Sequence, residues 1–78
     1  MVTVRLYAAA RSAAGTDTLV FEPATVQEII DQCSAINGEL KRIIPSCGFL
    51  IDGLACHDFS MHVASGSQLD VLPKFAGG

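Results

Sequence analysis

Two hydrophobic rhythms in one short chain limit the folds open to it. Val2, Val4, Leu6 and Ala8 alternate with Thr3, Arg5 and Tyr7, the period-two pattern of a strand with one face buried. Further on, Val26, Ile29, Ile30 and Cys33 recur at i, i+3, i+4 and i+7, the stripe of a helix laid on an apolar surface. With 78 residues in all, there is room for one sheet, one covering helix and one shared core. Half the residues are hydrophobic, which a domain near the lower size limit for independent folding requires.

Local signals fill in the order. Arg11 to Thr16 is small and polar around Gly15, and Thr18 to Phe21 is again β-prone, so a hairpin with a loose connection is expected after the first strand. Pro23 stops that strand. Thr25 and Glu28 have the spacing of a capping box, which starts the helix at Val26. Asn37-Gly38 breaks the helical pattern, and Leu40, Ile43 and Ile44 predict a short second helical stretch ending before Pro45. Phe49 to Ile51 and Leu54 to Cys56 flank Asp52-Gly53, a pair that supplies the positive φ of a tight turn. After the turn Ser65-Gly66-Ser67, Leu69 and Val71 alternate with Gln68 and Asp70 in a last strand that ends at Pro73. The order is β-β-α-β-β, and right-handed crossover rules place the last strand beside the first at the centre of a mixed sheet. The expected fold is therefore α+β, a β-grasp: residues 1–73 as the domain, and 74–78 as a flexible C-terminal tail.

Charge and motifs exclude several functions. The net charge of −3 comes with no run of Lys or Arg, so no nucleic acid partner is expected. No apolar run approaches the span of a bilayer, which predicts no membrane association and a soluble, cytoplasmic protein. Cys33, Cys47 and Cys56 match neither a CxxC pair nor a zinc cluster; Cys33 falls in the helix stripe and is expected in the core. His57 and His62 have no partner at metal-ligand or triad spacing, so no metal site is expected. Asp52 and Asp58 sit near turns with no pocket to separate their pKa values. Phosphate-binding glycine motifs are absent, so nucleotide chemistry would fall to a partner.

What remains is the end of the sequence, Pro73-Lys74-Phe75-Ala76-Gly77-Gly78. A slim tail of this kind can carry a terminal carboxylate into another protein's narrow channel, because glycine allows close backbone approach. On strand alternation, Tyr7 points away from the helix and is joined by Leu72, beyond the outward pair Gln68 and Asp70. Tyr7, Leu72 and Phe75 are the candidate partner interface.

The segments Val4-Arg5-Leu6-Tyr7-Ala8-Ala9-Ala10-Arg11-Ser12-Ala13-Ala14-Gly15 and Leu69 to Gly78 resemble the ubiquitin-like sulfur carriers of the MoaD and ThiS family, MoaD more closely. The sequence departs from the family where Lys74 replaces a frequent second proline and where Ser65-Gly66-Ser67 replaces Asp-Gly-Asp-like residues. The resemblance implies a carrier that is no enzyme on its own and holds no permanent cofactor. A MoeB-like adenylyltransferase would use ATP and Mg to activate the Gly78 carboxylate, and a sulfur donor would convert it to a thiocarboxylate. Docked on MoaE, the large subunit of molybdopterin synthase, the carrier would deliver sulfur to cyclic pyranopterin monophosphate. Gly78 would be the reacting residue, Gly77 the spacer, and Ala76 and Phe75 tail contacts. Two alternatives stand beside this: a carrier for another pathway (thiazole, tRNA thiolation or cysteine synthesis), and a protein modifier or plain interaction domain.

Overall fold

The computed structural model describes residues 1–74; Phe75, Ala76, Gly77 and Gly78 lie outside the described residues. Strand β1 (Val2–Leu6) alternates between buried and half-buried residues as its sequence predicts. It pairs antiparallel with β2 (Thr18–Phe21), Val4 opposite Leu19, and parallel with β7 (Gln68–Pro73), Val4 opposite Leu69. Strand β4 (Cys47–Ile51) lies antiparallel on the other side of β7, and β5 (Leu54–Ala55) closes a hairpin on β4. The five-stranded sheet has the order β2-β1-β7-β4-β5, with the last strand in the middle. The ubiquitin-like β-grasp expected from the chain order is thus the fold observed.

Helix α2 (Val26–Ser34) lies across one face of this sheet, and its four stripe residues Val26, Ile29, Ile30 and Cys33 are all buried. They meet Val2, Val4 and Leu6 of β1, Leu69 and Val71 of β7, and Phe49 of β4 in one core. The capping box is present in full: Thr25 Oγ1 accepts from the Glu28 amide at 3.1 Å, and Glu28 Oε1 accepts from the Thr25 amide at 3.0 Å. Thr25→Ala removes the hydroxyl half of it and is expected to cost about 1 kcal/mol. A thermal melt lowered by about 4–8 °C would register that loss in a domain of this size.

The turn at Asp52-Gly53 also forms as predicted, with φ of 47° and 84°, the two left-handed residues of a type I′ hairpin. Asp52 Oδ1 then accepts from the Gln68 amide at 2.9 Å, which fastens the hairpin to the start of β7. Helix α3 (Gly38–Ile43) forms the second helical stretch, and a 3-10 turn at Ile44–Ser46 carries it past the end expected before Pro45, because proline is tolerated in the first turn, where its missing N–H is not needed. Asn37 caps α3 through a 2.8 Å bond from the Leu40 amide, so the residue that breaks one helix starts the next.

Three details correct the sequence expectation. Ala8 does not continue β1, and Arg11 to Thr16 is no loose connection: helix α1 (Ala8–Ala14) occupies this ground. The chain leaves the sheet at Ala8 with φ 50°, runs through a stretch of alanines, the best helix formers, and ends at Gly15 in the left-handed conformation with φ 76°. Ala10 is buried, and Asn37 Nδ2 donates to the Ala13 carbonyl at 2.9 Å, tying α1 to α3. The third addition is a small second sheet, β3 (Ala24–Thr25) against β6 (His62–Val63). Pairing so short has no periodicity to announce it in sequence.

Three exposed carboxylates are held below their ordinary range by hydrogen bonds to their charged forms. Glu28 accepts from the Thr25 amide and hydroxyl, Asp52 from the Gln68 amide and the Ser67 side chain, and Asp58 from the Ser60 hydroxyl and amide. Each therefore binds its proton more weakly folded than unfolded. Their stabilising contribution is complete above the ordinary values, 4.5 for Glu and 3.8 for Asp, and is lost as pH falls through the lower folded values. Melting temperature is expected to hold between pH 7 and about 5 and to decline below about 4.5; a flat profile down to about pH 3 would contradict these bonds.

Candidate functional site

The sheet has one covered and one open face. Along β1, Thr3 and Arg5 alternate with the buried Val2, Val4 and Leu6, and along β7, Gln68, Asp70 and Leu72 alternate with the buried Leu69 and Val71. Parallel register sets Arg5 opposite Asp70, and antiparallel register sets Leu72 opposite Gly48 and Asp70 opposite Leu50. Each of these outward residues keeps part of its surface in solvent, and none belongs to the core.

Tyr7 has the orientation that alternation demands. It keeps an extended backbone, φ −121° and ψ 153°, and its amide still donates to the Val71 carbonyl at 3.2 Å, but it also stands as the N-cap of α1. The Arg5 guanidinium carbon lies over its ring, 6.0 Å from the centroid, within cation–π range. Leu72 is half-buried and borders a groove of about 300 Å³ with Cys47, Leu50, Cys56, Phe59 and Lys74. Lys74 is exposed, and its amide reaches the Ser46 carbonyl at 3.4 Å at the end of the β4–β7 ladder. Of the residues singled out from sequence, Tyr7 and Leu72 thus share the open face at the end of the sheet where β1 and β7 finish. Phe75, Ala76, Gly77 and Gly78 follow Lys74 outside the described residues.

Arg5 was not among the sequence candidates. Its position was readable as the outward half of the β1 alternation, but nothing in the sequence says what faces it across β7. Asp70 does, and its Oδ1 accepts from Gln68 Nε2 at 2.7 Å.

The other titratable groups do not assemble a reaction centre. Asp52 and Asp58 spend their carboxylates on the turns described above. Among the described residues no group of three or more His, Cys, Asp or Glu side chains could hold a metal ion. All three cysteines are free thiols; burial pushes Cys33 up to about 11 and raises Cys47 as well. Both stay protonated at neutral pH and are poor nucleophiles. A second groove of about 430 Å³ runs between α2 and the 3-10 turn, floored by Ile30, Ile44, Phe49 and Phe59. No described helix is long and apolar enough to cross a membrane.

The same fold recurs in solved structures. The small archaeal modifier protein 1 from Methanosarcina acetivorans superposes with a TM-score of 0.87 at 23% identity, over 99% of this chain and 95% of that one. In the complex of subunits 1 and 2 of the molybdopterin-converting factor from Helicobacter pylori, the match has a TM-score of 0.73 at 16% identity, over 99% and 97%. The BexX/CysO complex of Amycolatopsis orientalis gives a TM-score of 0.78 at 25% identity, over the full length of both chains. No curated protein matches the chain. The family model of ThiS does match, over residues 4–78, a span that leaves out only the first three residues and includes the diglycine: the chain belongs to the ThiS family, the group of small ubiquitin-like sulfur carriers that includes MoaD.

Proposed function

We propose that the chain is the sulfur-donating small subunit of a molybdopterin synthase, with the Gly78 carboxylate as its working group. The observation that carries this reading is the family match, which runs through Gly77 and Gly78. The fold supports it by placing β7, which ends at Pro73, at the centre of the sheet. Likeness to a chain in the complex of molybdopterin-converting factor subunits 1 and 2 supports the choice of pathway.

In this reading a MoeB-like partner uses ATP and Mg to adenylate Gly78, with loss of pyrophosphate. A free carboxylate is a poor acyl donor, whereas the mixed anhydride with AMP has a good leaving group. A persulfide sulfur from the donor displaces AMP, and cleavage of the sulfur–sulfur bond by a second thiol leaves the thiocarboxylate. Docked on a MoaE-like large subunit through Tyr7, Leu72 and Phe75, the carrier passes that sulfur to cyclic pyranopterin monophosphate. Gly77 is the spacer, and Ala76 and Phe75 are the tail contacts in this reading. Raised thiol pKa values at Cys33 and Cys47 fit this division of labour, since an internal thiolate would compete for the activated acyl group. Free thiols also suit a reducing cytoplasm.

Intact mass tests the proposal. After incubation with ATP, Mg, a MoeB-like enzyme and a sulfur source, exchange of one terminal oxygen for sulfur adds about 16 Da. Adding a MoaE-like subunit and the pterin substrate should return the mass to its starting value as the dithiolene forms. A second reading keeps the carrier chemistry and changes the acceptor; the 25% identity to a chain of the BexX/CysO complex favours it. It predicts the same gain of mass with no return when the MoaE-like subunit is added.

A further inference from the structure

One edge of the sheet is open to another strand along half of its length. Strand β2 stands last on its side, with β1 as its one neighbour among the described residues. The Leu6 amide donates to the Asp17 carbonyl at 2.9 Å, one step beyond the Arg5–Thr18 pair. Counted by twos from there, Val4–Leu19 and Val2–Phe21 are the hydrogen-bonded pairs of this antiparallel ladder. Thr18 and Val20 alternate with them, so their backbone N–H and C=O groups point away from β1. The strand Thr18–Phe21 has no charge, proline or glycine, and Val20 is 52% exposed. An edge of this kind is a template for strand addition.

Half of the template is occupied from within. Thr16 Oγ1 accepts from the Thr18 amide at 3.4 Å and donates to the Thr18 carbonyl at 3.3 Å, so one hydroxyl takes both edge-facing groups of Thr18. Among the described residues, no turn or side-chain hydrogen bond engages those of Val20. A single residue is too short an edge to hold a strand. We propose that β2 is a self-pairing edge held shut by Thr16: with the hydroxyl on Thr18 the chain stays a monomer, and with it withdrawn two copies join through antiparallel β2 strands.

A second copy fits because this edge is complementary to itself. With Leu19 opposite its twin, Thr18 of each copy faces Val20 of the other, and the two pairs exchange backbone hydrogen bonds about a two-fold axis. The same register sets Asp17 against Phe21 and Glu22 against Thr16, so the flanking acids of the two copies do not oppose one another. The net charge of −3 on each copy thus creates no like-charge pair within the seam. Both Thr16 bonds are long for hydrogen bonds, which makes the lock shallow: rotation of one side chain opens it. The inference concerns assembly and stands whether or not Gly78 carries sulfur.

Sedimentation of the full-length chain between about 10 μM and 1 mM tests the lock, with a reductant present to keep the three free thiols from cross-linking copies. Thr16→Val stays close in shape and loses the hydroxyl. It is expected to tighten dimerisation about tenfold or more, since two modest hydrogen bonds no longer compete with the seam. Thr16→Ser keeps the hydroxyl and should sediment as the parent chain does. In the Thr16→Val dimer, the Thr18 and Val20 amides should exchange hydrogen more slowly as concentration rises. A Thr16→Val chain no more associated than the parent, a dimer that leaves those two amides unprotected, or Thr16→Ser associating like Thr16→Val would each overturn the proposal. The parent chain supplies a reading that needs no variant to fold. Relative to intrinsic rates, its Thr18 amide should exchange more slowly than its Val20 amide, and equal protection would remove the lock.

Discussion

Removal of Gly77 and Gly78 is expected to abolish thiocarboxylate formation while leaving the melting temperature of the domain unchanged. The first half follows from reach. Deleting one residue withdraws the terminal carboxylate by about 3.5 Å along an extended chain, and misplacing a reacting group by about 1 Å already costs on the order of a hundredfold in rate. Loss of Gly78 alone should therefore reduce charging at least a hundredfold or so, and loss of both glycines should take it to background. The second half follows from where the core lies: its buried residues run from Val2 to Val71, and the ladder between β4 and β7 ends with the Lys74 amide on Ser46. Intact mass and a thermal melt on the same sample read both halves. A truncated chain that still gains sulfur would remove Gly78 from the chemistry. An interaction domain that makes no use of Gly78 would go on binding its partner after truncation.

The parts of this structure that the sequence announced are those in which a local rule and the tertiary contact agree. The stripe at Val26, Ile29, Ile30 and Cys33 needed a sheet to cover and found one, with Thr25 and Glu28 setting where the helix begins. Asp52-Gly53 could only be a tight turn, because both residues adopt positive φ there. Helix α1 escaped for the opposite reason. Ala8 sits on the period-two beat of β1, and the seven residues of α1 are too few to be helical on propensity alone. Its stabilisation comes from the burial of Ala10 and from the reach of Asn37 to the Ala13 carbonyl, contacts that appear only once α3 is in place. The open face divides in the same way. Alternation was enough to turn Tyr7 and Leu72 outward. That Arg5 faces Asp70, itself bound to Gln68, depends on a parallel strand far along the chain, and no local pattern encodes that.

Leu69 and Leu72 stand three positions apart on β7 and should respond to truncation in opposite ways. Leu69 is fully buried between Val4 of β1 and Ile51 of β4, under α2, so Leu69→Ala loses the transfer energy of the side chain and leaves a cavity in the middle of the only core described. Such changes cost about 2–5 kcal/mol. At roughly 0.05–0.15 kcal/mol per residue, a domain of 78 residues holds only about 4–12 kcal/mol in total. The variant should lose about 8–40 °C in melting temperature and be largely unfolded at the lower end of that stability range. Leu72→Ala removes a half-buried side chain from the open face, costs about 1 kcal/mol or less, and leaves the sheet intact. Under the proposed function its expected effect falls on docking to a MoaE-like subunit, as a weaker complex formed by a folded carrier. Equal melting temperatures for the two variants would mean that the two faces of β7 do not divide the work in this way, with the core behind Leu69 and the partner before Leu72.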